Sequence, residues 1–201
     1  MVGGLEVPKS GELLGFPTET VWGLGALPDR AGWEAIMWAK GRDPGQALQV
    51  SNASAALALE WAADPQQLQP LTPFWPGPLT LVVQARSGLP EYLAPGGWVG
   101  LRVPAHPVAL AVLTAAGGRL LTTSLNRSGE PTVTSEAGAR ALGLADTVLG
   151  DGRQPPSGAA STVLRVGPDT LEMLRAGEIT PSALQASLRG TPLADRTLVT
   201  R

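Results

Sequence analysis

The sequence predicts an α/β or α+β domain built on one mixed β-sheet. Three observations predict it. Short apolar runs alternate with helical periods along the whole chain. Several of those runs are apolar at consecutive positions, the pattern of strands covered on both faces. Neither an internal repeat nor a low-complexity linker divides the 201 residues, a length suited to one generous domain. The only candidate boundary lies near residue 177. The expected organisation is therefore a main domain over 1–180, a helix and tail over 181–201, and no second domain.

ELLGF (12–16) is a short apolar strand running into the polar turn PTET. Residues 29–40 form a helix: Asp29 offers an N-cap, and Trp33, Ile36, Met37 and Lys40 share one face at i, i+3, i+4, i+7 spacing. ALQVS (47–51) is strand-like, and the alanine-rich stretch 53–63 reads as a helix capped by Asn52. PFWPGP (73–78) is excluded from regular structure by its three prolines. LTLVVQA (79–85) and WVGLRV (98–103) are strands. Residues 106–118 form a helix, with Pro107 in its first turn, Gly117 at its end and His106 as a cap or surface residue. RLLTTS (119–124) is a strand entering the loop LNRSGEP. Residues 135–142 make a short helix, and DTVLG (146–150) and STVLRV (161–166) two strands. The last helix spans 180–190, with Thr180 as cap and Pro181 at its first position.

Composition removes whole classes of chemistry. There is no cysteine, so disulfides, thiolate nucleophiles and cysteine-ligated metals are excluded. The single histidine, His106, rules out a multi-histidine metal site. A net charge of −2 argues against a general nucleic-acid binder. No uncharged apolar run approaches the roughly 18 residues of a membrane span, and the N-terminus lacks the pattern of a secretory signal. The expectation is a soluble cytoplasmic protein without a membrane partner. Of the basic residues, 13 are Arg and two are Lys, Lys9 and Lys40, so a lysine inside an element hints that an ammonium is wanted there.

Four segments carry more polar specificity than a fold requires. FPTET (16–20) followed by VWGLG (21–25) combines two hydroxyls with two glycines: a turn with capping threonines, or a ligand cradle. Lys40-Gly41-Arg42 reads as a snorkelling lysine at a helix end, or as two cations at the mouth of a cleft that takes phosphate or carboxylate. Arg102 interrupts an apolar strand with no acidic residue within five positions on either side. It needs a partner, either a distant carboxylate or an anionic ligand. TTSLNRSG (122–129) puts hydroxyls where a strand would be apolar and then turns: a plain Asn/Ser turn, or a set of donors for a ligand. No Walker loop, G-x-S-x-G elbow or G-x-G-x-x-G occurs.

Taken together, PTETVWGLGA, KGR, FWPGPLTLVV, VGLRVPAHP, TTSLNRSGEP and STVLR…LRAGEI stand in the order of the YrdC-like family, which the chain resembles from about residue 11 to 180. Six ordered motifs are far more specific than any one of them. The resemblance implies a twisted mixed α/β sheet flanked by helices, with a large open, positively lined cavity. It implies the short single-domain form of an L-threonylcarbamoyladenylate synthase, a nucleotidyltransferase. Such an enzyme joins L-threonine, bicarbonate and ATP into threonylcarbamoyl-AMP and releases pyrophosphate. Separate tRNA threonylcarbamoyl-transferase machinery accepts the product for the t6A modification at adenosine 37 of tRNA, and any direct tRNA contact is expected to be weak.

The resemblance also implies roles for residues. Lys40 and Arg42 resemble the K-x-R pair that meets the triphosphate and the carboxylates, and are the expected catalytic cations. Thr18, Thr20, Arg102, Ser124 and Ser161 fall on the threonine side, with Arg102 pairing the threonine carboxylate. Gln46, Asn126, Thr134 and Arg175, together with Lys40 and Arg42, fall on the ATP side. Mg2+ is expected with ATP, held by phosphate and water, and no protein metal site is expected. The chain departs from the family pattern at Gln46-Ala47-Leu48, at Ser51 where a His is usual, and at Trp98 where a Thr often stands. Two other functions are open to such a domain. One is a non-catalytic RNA-binding module. The other is carbamoyl transfer, whose known carriers are longer chains with zinc-finger segments.

Overall fold

The computed structural model describes residues 7–41, 48–150 and 156–200. Among them are ten strands: β1 (Leu14–Pro17), β2 (Trp22–Ala26), β3 (Gln49–Asn52), β4 (Leu79–Gln84), β5 (Trp98–Arg102), β6 (Arg119–Ser124), β7 (Thr147–Val148), β8 (Thr162–Val166), β9 (Thr170–Arg175) and β10 (Thr197–Thr200). All join one sheet in the order β10-β9-β8-β4-β5-β3-β6-β2-β1-β7. Parallel pairs such as β3–β5 and β4–β8 alternate with antiparallel pairs such as β4–β5 and β3–β6. The flanking helices are α1 (Arg30–Lys40), α2 (Ala55–Leu59), α3 (Pro107–Ala115), α4 (Glu136–Leu142) and α5 (Pro181–Leu188), with a 3-10 stretch over Gln66–Phe74.

Helix starts follow their caps. The Asp29 carboxylate accepts from Gly32 N at 2.7 Å, and Gly41, at φ 58°, closes α1 in the left-handed region that suits glycine. His106 caps α3 by accepting from Val108 N, and Thr180 caps α5 by accepting from Ala183 N. The second helix differs from expectation. It is capped by Ser54, while Asn52 ends β3 fully buried and accepts the indole N–H of Trp61 at 3.1 Å. A buried carboxamide bonded across the core serves the sheet better than an exposed cap.

Strands β2, β9 and β10 were not expected. β2 carries Gly23 and Gly25, poor strand formers that read as a turn. Both lie against the Phe16 ring: a Cβ on Gly25 would stand 2.9 Å from Phe16 Cε1. Ring packing therefore selects glycine there, overriding propensity. The last strand, β10, pairs parallel with β9, so the segment after residue 180 adds to the same sheet.

Alternate residues divide the sheet into two faces. Leu79, Leu81 and Val83 of β4, Val99 and Leu101 of β5, Val50 of β3 and Leu121 of β6 belong to the main core. Ile36 and Met37 of α1 and Leu184 and Leu188 of α5 pack into that core. The opposite face is part apolar, where Leu14, Phe16 and Leu120 meet α3 through Val108, Val112 and Leu113. The rest of that face is left open as a cavity.

Candidate active site

The cavity has a volume of about 560 Å³ and is walled by residues from β1 to β6, β8 and β9 and from the loops between them. Its anionic complement is plain: among the described residues the wall carries Arg102, Arg165 and Arg175 and no carboxylate.

Arg102 ends β5 and is buried. Its Nη2 donates to Glu19 Oε1 at 2.6 Å and to Thr20 Oγ1 at 2.8 Å. The required partner is thus a carboxylate 83 positions away in sequence. Glu19 also accepts from Ala105 N at 3.0 Å, so the carboxylate ties the PTET turn to the end of β5. Arg102 Nε is buried with no hydrogen-bond partner among the described residues, which leaves the guanidinium only partly satisfied. Thr18 organises the turn itself. Its hydroxyl donates to Val21 O at 2.7 Å and accepts from the backbone N–H groups of Thr20 and Val21. Thr18 is thus a turn former that also lines the cavity. A segment leading into β8 closes over the same turn, through Ser157 N to Glu19 O at 2.9 Å and Gly158 N to Thr20 O at 2.8 Å.

Lys40 is only 4% exposed, where a half-buried stem with its head at the cleft mouth was expected. From the core side of the sheet its Nζ donates to Ser124 O at 2.8 Å, Asn126 O at 2.6 Å and Asn126 Oδ1 at 2.6 Å. Three acceptors clustered at the end of β6 match the three donors of an ammonium, a geometry a planar guanidinium could not copy. The choice of lysine at position 40 thus has a local physical reason. Ser124 Oγ donates to the same Asn126 Oδ1 at 2.6 Å, so one cation fixes the whole S-x-N turn.

Arg175 reaches the cavity through an irregularity. The β8–β9 register shifts between Val163 and Leu164, an extra residue that re-aims the end of β9. Its Nε donates to Ser161 O at 2.9 Å and its Nη2 to Ser161 Oγ at 2.8 Å. Burial, and then the positive charge of Arg102, pull the Arg175 pKa below the ordinary guanidinium value. Both effects favour an anion between the two arginines.

Between these poles the floor is a row of hydrogen-bonded side chains. Ser161 meets Thr80 at 3.0 Å, Thr80 donates to Gln49 Oε1 at 2.9 Å, and Gln49 Nε2 donates to Ser51 and Thr122, each at 3.1 Å. Ser51 and Thr122 are themselves 2.7 Å apart. At the rim, Arg165 lies 4.5 Å from the Trp98 ring centroid and pairs with Glu172 at 3.6 Å. Two of the departures from the family pattern, Ser51 and Trp98, therefore face the cavity.

Of the expected site residues, Thr18, Arg102, Ser124, Ser161 and Arg175 line the cavity, and Thr20 lies behind Arg102. Lys40 and Asn126 are not among its lining residues; they join the lining Ser124 through the S-x-N turn. Thr134 is exposed and outside the described wall, and Thr132 lines it instead. Arg42 and Gln46 lie outside the described residues. Sequence reasoning missed Glu19, Gln49, Thr80 and Thr132. The alternation of β4, in which Thr80 interrupts a run of Leu and Val, is the signal that could have found one of them.

Comparisons with known proteins identify the family. The Sua5/YciO/YrdC family model, described under the heading "telomere recombination", matches residues 6–177. The threonylcarbamoyl-AMP synthase of Alkalilimnicola ehrlichii is 36% identical over 150 residues, covering 71% of this chain and 79% of that protein. The threonylcarbamoyl-AMP synthase of Chromohalobacter salexigens is 36% identical over 176 residues, covering 85% of this chain and 90% of that protein. The crystal structure of Pyrococcus abyssi Sua5 complexed with L-threonine superposes with a TM-score of 0.82 at 30% identity, over 94% of this chain. This chain spans 55% of that longer Sua5 chain. The chain belongs to the Sua5/YciO/YrdC family.

Proposed function

We propose that this protein is a threonylcarbamoyl-AMP synthase, a nucleotidyltransferase that makes L-threonylcarbamoyladenylate and pyrophosphate from L-threonine, bicarbonate and ATP. The observation that carries this reading is the cavity wall, with three guanidinium groups, no carboxylate and a floor of hydroxyls among its described residues. Relatives that bear this name cover most of the chain and lend it support.

The reaction needs no protein nucleophile. The threonine amine attacks the carbon of bicarbonate, a C–O bond breaks, and water leaves to give a carbamate. A carbamate oxygen then attacks the α-phosphorus of ATP, and pyrophosphate leaves. The protein must bring anions together and offset their repulsion. Arg102 binds the threonine carboxylate by a forked pair of hydrogen bonds, in exchange for part of its contact with Glu19. Arg175, with Arg42, meets the nucleotide side. Lys40 acts through the turn that it holds, setting Ser124 and Asn126 in place. Mg2+ would arrive on the triphosphate, with phosphate and water as its ligands. It would supply charge neutralisation on the departing pyrophosphate. No helix among the described residues is long and apolar enough to cross a membrane. In this reading the protein works in the cytoplasm, and its product passes to the tRNA-modifying machinery.

The test is pyrophosphate release from ATP by the purified protein. Release is expected only when L-threonine and bicarbonate are both present. Release equally fast without threonine would overturn the reading.

A further inference from the structure

The row on the cavity floor can be followed hydrogen by hydrogen. Gln49, Ser51 and Thr122 form a triangle with contacts of 3.1, 3.1 and 2.7 Å. Suppose that the Gln49 amide oxygen faced the two hydroxyls. Two hydroxyl hydrogens would then serve three contacts, and one short approach would have no hydrogen in it. With the NH2 group facing them, the triangle holds four hydrogens for three contacts. That fixes the orientation of the amide and leaves one hydroxyl hydrogen over. The Gln49 carbonyl lies 3.5 Å from Thr122 Oγ1, too far to hold that hydrogen well.

The rest of the row obeys the same accounting. Gln49 Oε1 takes the Thr80 hydrogen, so Thr80 has none for Ser161 and Ser161 must donate to it. Ser161 accepts in turn from Arg175. Donation therefore runs from the Arg175 cation to the amide oxygen, and the amide passes it on as N–H donors toward Ser51 and Thr122. Gln49 reaches Thr80 by crossing β5 where Gly100 stands opposite it and presents no side chain. Ser51 is in register with Arg102, so a hydrogen left on Ser51 stands at the strand position beside that guanidinium.

We propose that Gln49 is a positioning residue, whose amide orients the Ser51–Thr122 pair so that it donates one hydroxyl hydrogen into the cavity, beside Arg102, to a carboxylate-type oxygen. The proposal rests on the synthase reading, in which that oxygen belongs to threonine or to bicarbonate. An acceptor-only oxygen fits because the pair has a hydrogen to give.

Gln49→Glu is the sharpest test. A carboxylate at this position only accepts, so both hydroxyls turn their hydrogens inward. The KM for threonine or for bicarbonate should rise roughly 10- to 100-fold, the usual loss of a hydrogen bond to a charged group. A rise for threonine assigns the oxygen to its carboxylate, and a rise confined to bicarbonate assigns it there. The KM for ATP and the melting temperature should stay close to wild type. Gln49→Met, uncharged and of similar length, should raise the same KM by a smaller factor. In a background lacking both hydroxyls, Ser51→Ala with Thr122→Val, Gln49→Glu should add little. An unchanged KM for both small substrates, an equal rise for ATP, or full additivity in that background would overturn the proposal. Wild-type protein that forms no threonylcarbamoyl-AMP would sink the synthase reading and this proposal with it. Active wild type with an indifferent Gln49→Glu sinks the proposal alone.

Discussion

The two faces of the central strands are built to opposite rules from the same few residues. Leu79, Leu81 and Val83 of β4 point into hydrocarbon, while Thr80 between them sits on the cavity floor. On β5, Val99 and Leu101 alternate with Trp98, Gly100 and Arg102. Burial does not separate the two sets: Thr80, Ser51, Thr122 and Arg102 are all buried. What differs is what satisfies them. Apolar area and dense packing hold one face. Mutual hydrogen bonds hold the other, and they leave donors that a ligand can use. Stability and chemistry thus occupy alternate positions of the same short segments, and substitutions should pull them apart.

The largest effect is expected on the apolar face. Leu81→Ala removes a fully buried side chain and should lower the unfolding free energy by about 2–5 kcal/mol, with the folded fraction keeping its Michaelis constants. Denaturant unfolding beside steady-state kinetics checks both. A changed KM would mean that the faces are coupled. Lys40 crosses between the faces, so it sharpens the comparison. Lys40→Ala leaves the Ser124 and Asn126 carbonyls without their cation and should cost about 1–3 kcal/mol. Turnover should also fall roughly 10²-fold as the S-x-N turn shifts. Loss of stability with turnover intact would make Lys40 a purely structural clamp. Arg102→Lys should have the smallest effect on stability, because an ammonium can still pair with Glu19. It loses the fork, so threonine affinity should fall about tenfold or more while ATP affinity holds, as read by titration of each ligand. An equal loss for both ligands would remove the carboxylate role.

Local chemistry was legible in the sequence. Asp29, His106 and Thr180 announce their helices because a cap acts on backbone groups two or three residues away. The apolar periods of β4, β5 and β6 were equally plain. Partnerships across the fold were not. Arg102 declared its need for a partner, but nothing near it named Glu19. Gln49 reads as an ordinary strand residue until Gly100, on another strand, opens the lane that it crosses. β2 was hidden because Gly23 and Gly25 are poor strand formers, and Gly25 answers to the Phe16 ring rather than to strand propensity. Thr134 was named by the resemblance, and only the course of the chain after Asn126 puts Thr132 on the cavity wall instead.

The strand order also sets a timetable for a chain leaving the ribosome. β1 and β2 are neighbours and can pair at once, but the far edge of β2 waits for β6 and the far edge of β1 waits for β7. Leu13 N finds its carboxylate on Asp146, 133 positions later. Until then the first hairpin carries two unpaired edges, each able to recruit a strand from elsewhere. Folding dominated by such distant pairings is slow and exposes apolar surface while it waits. A chain that stops before Arg119 therefore leaves a sticky fragment rather than a partly working enzyme.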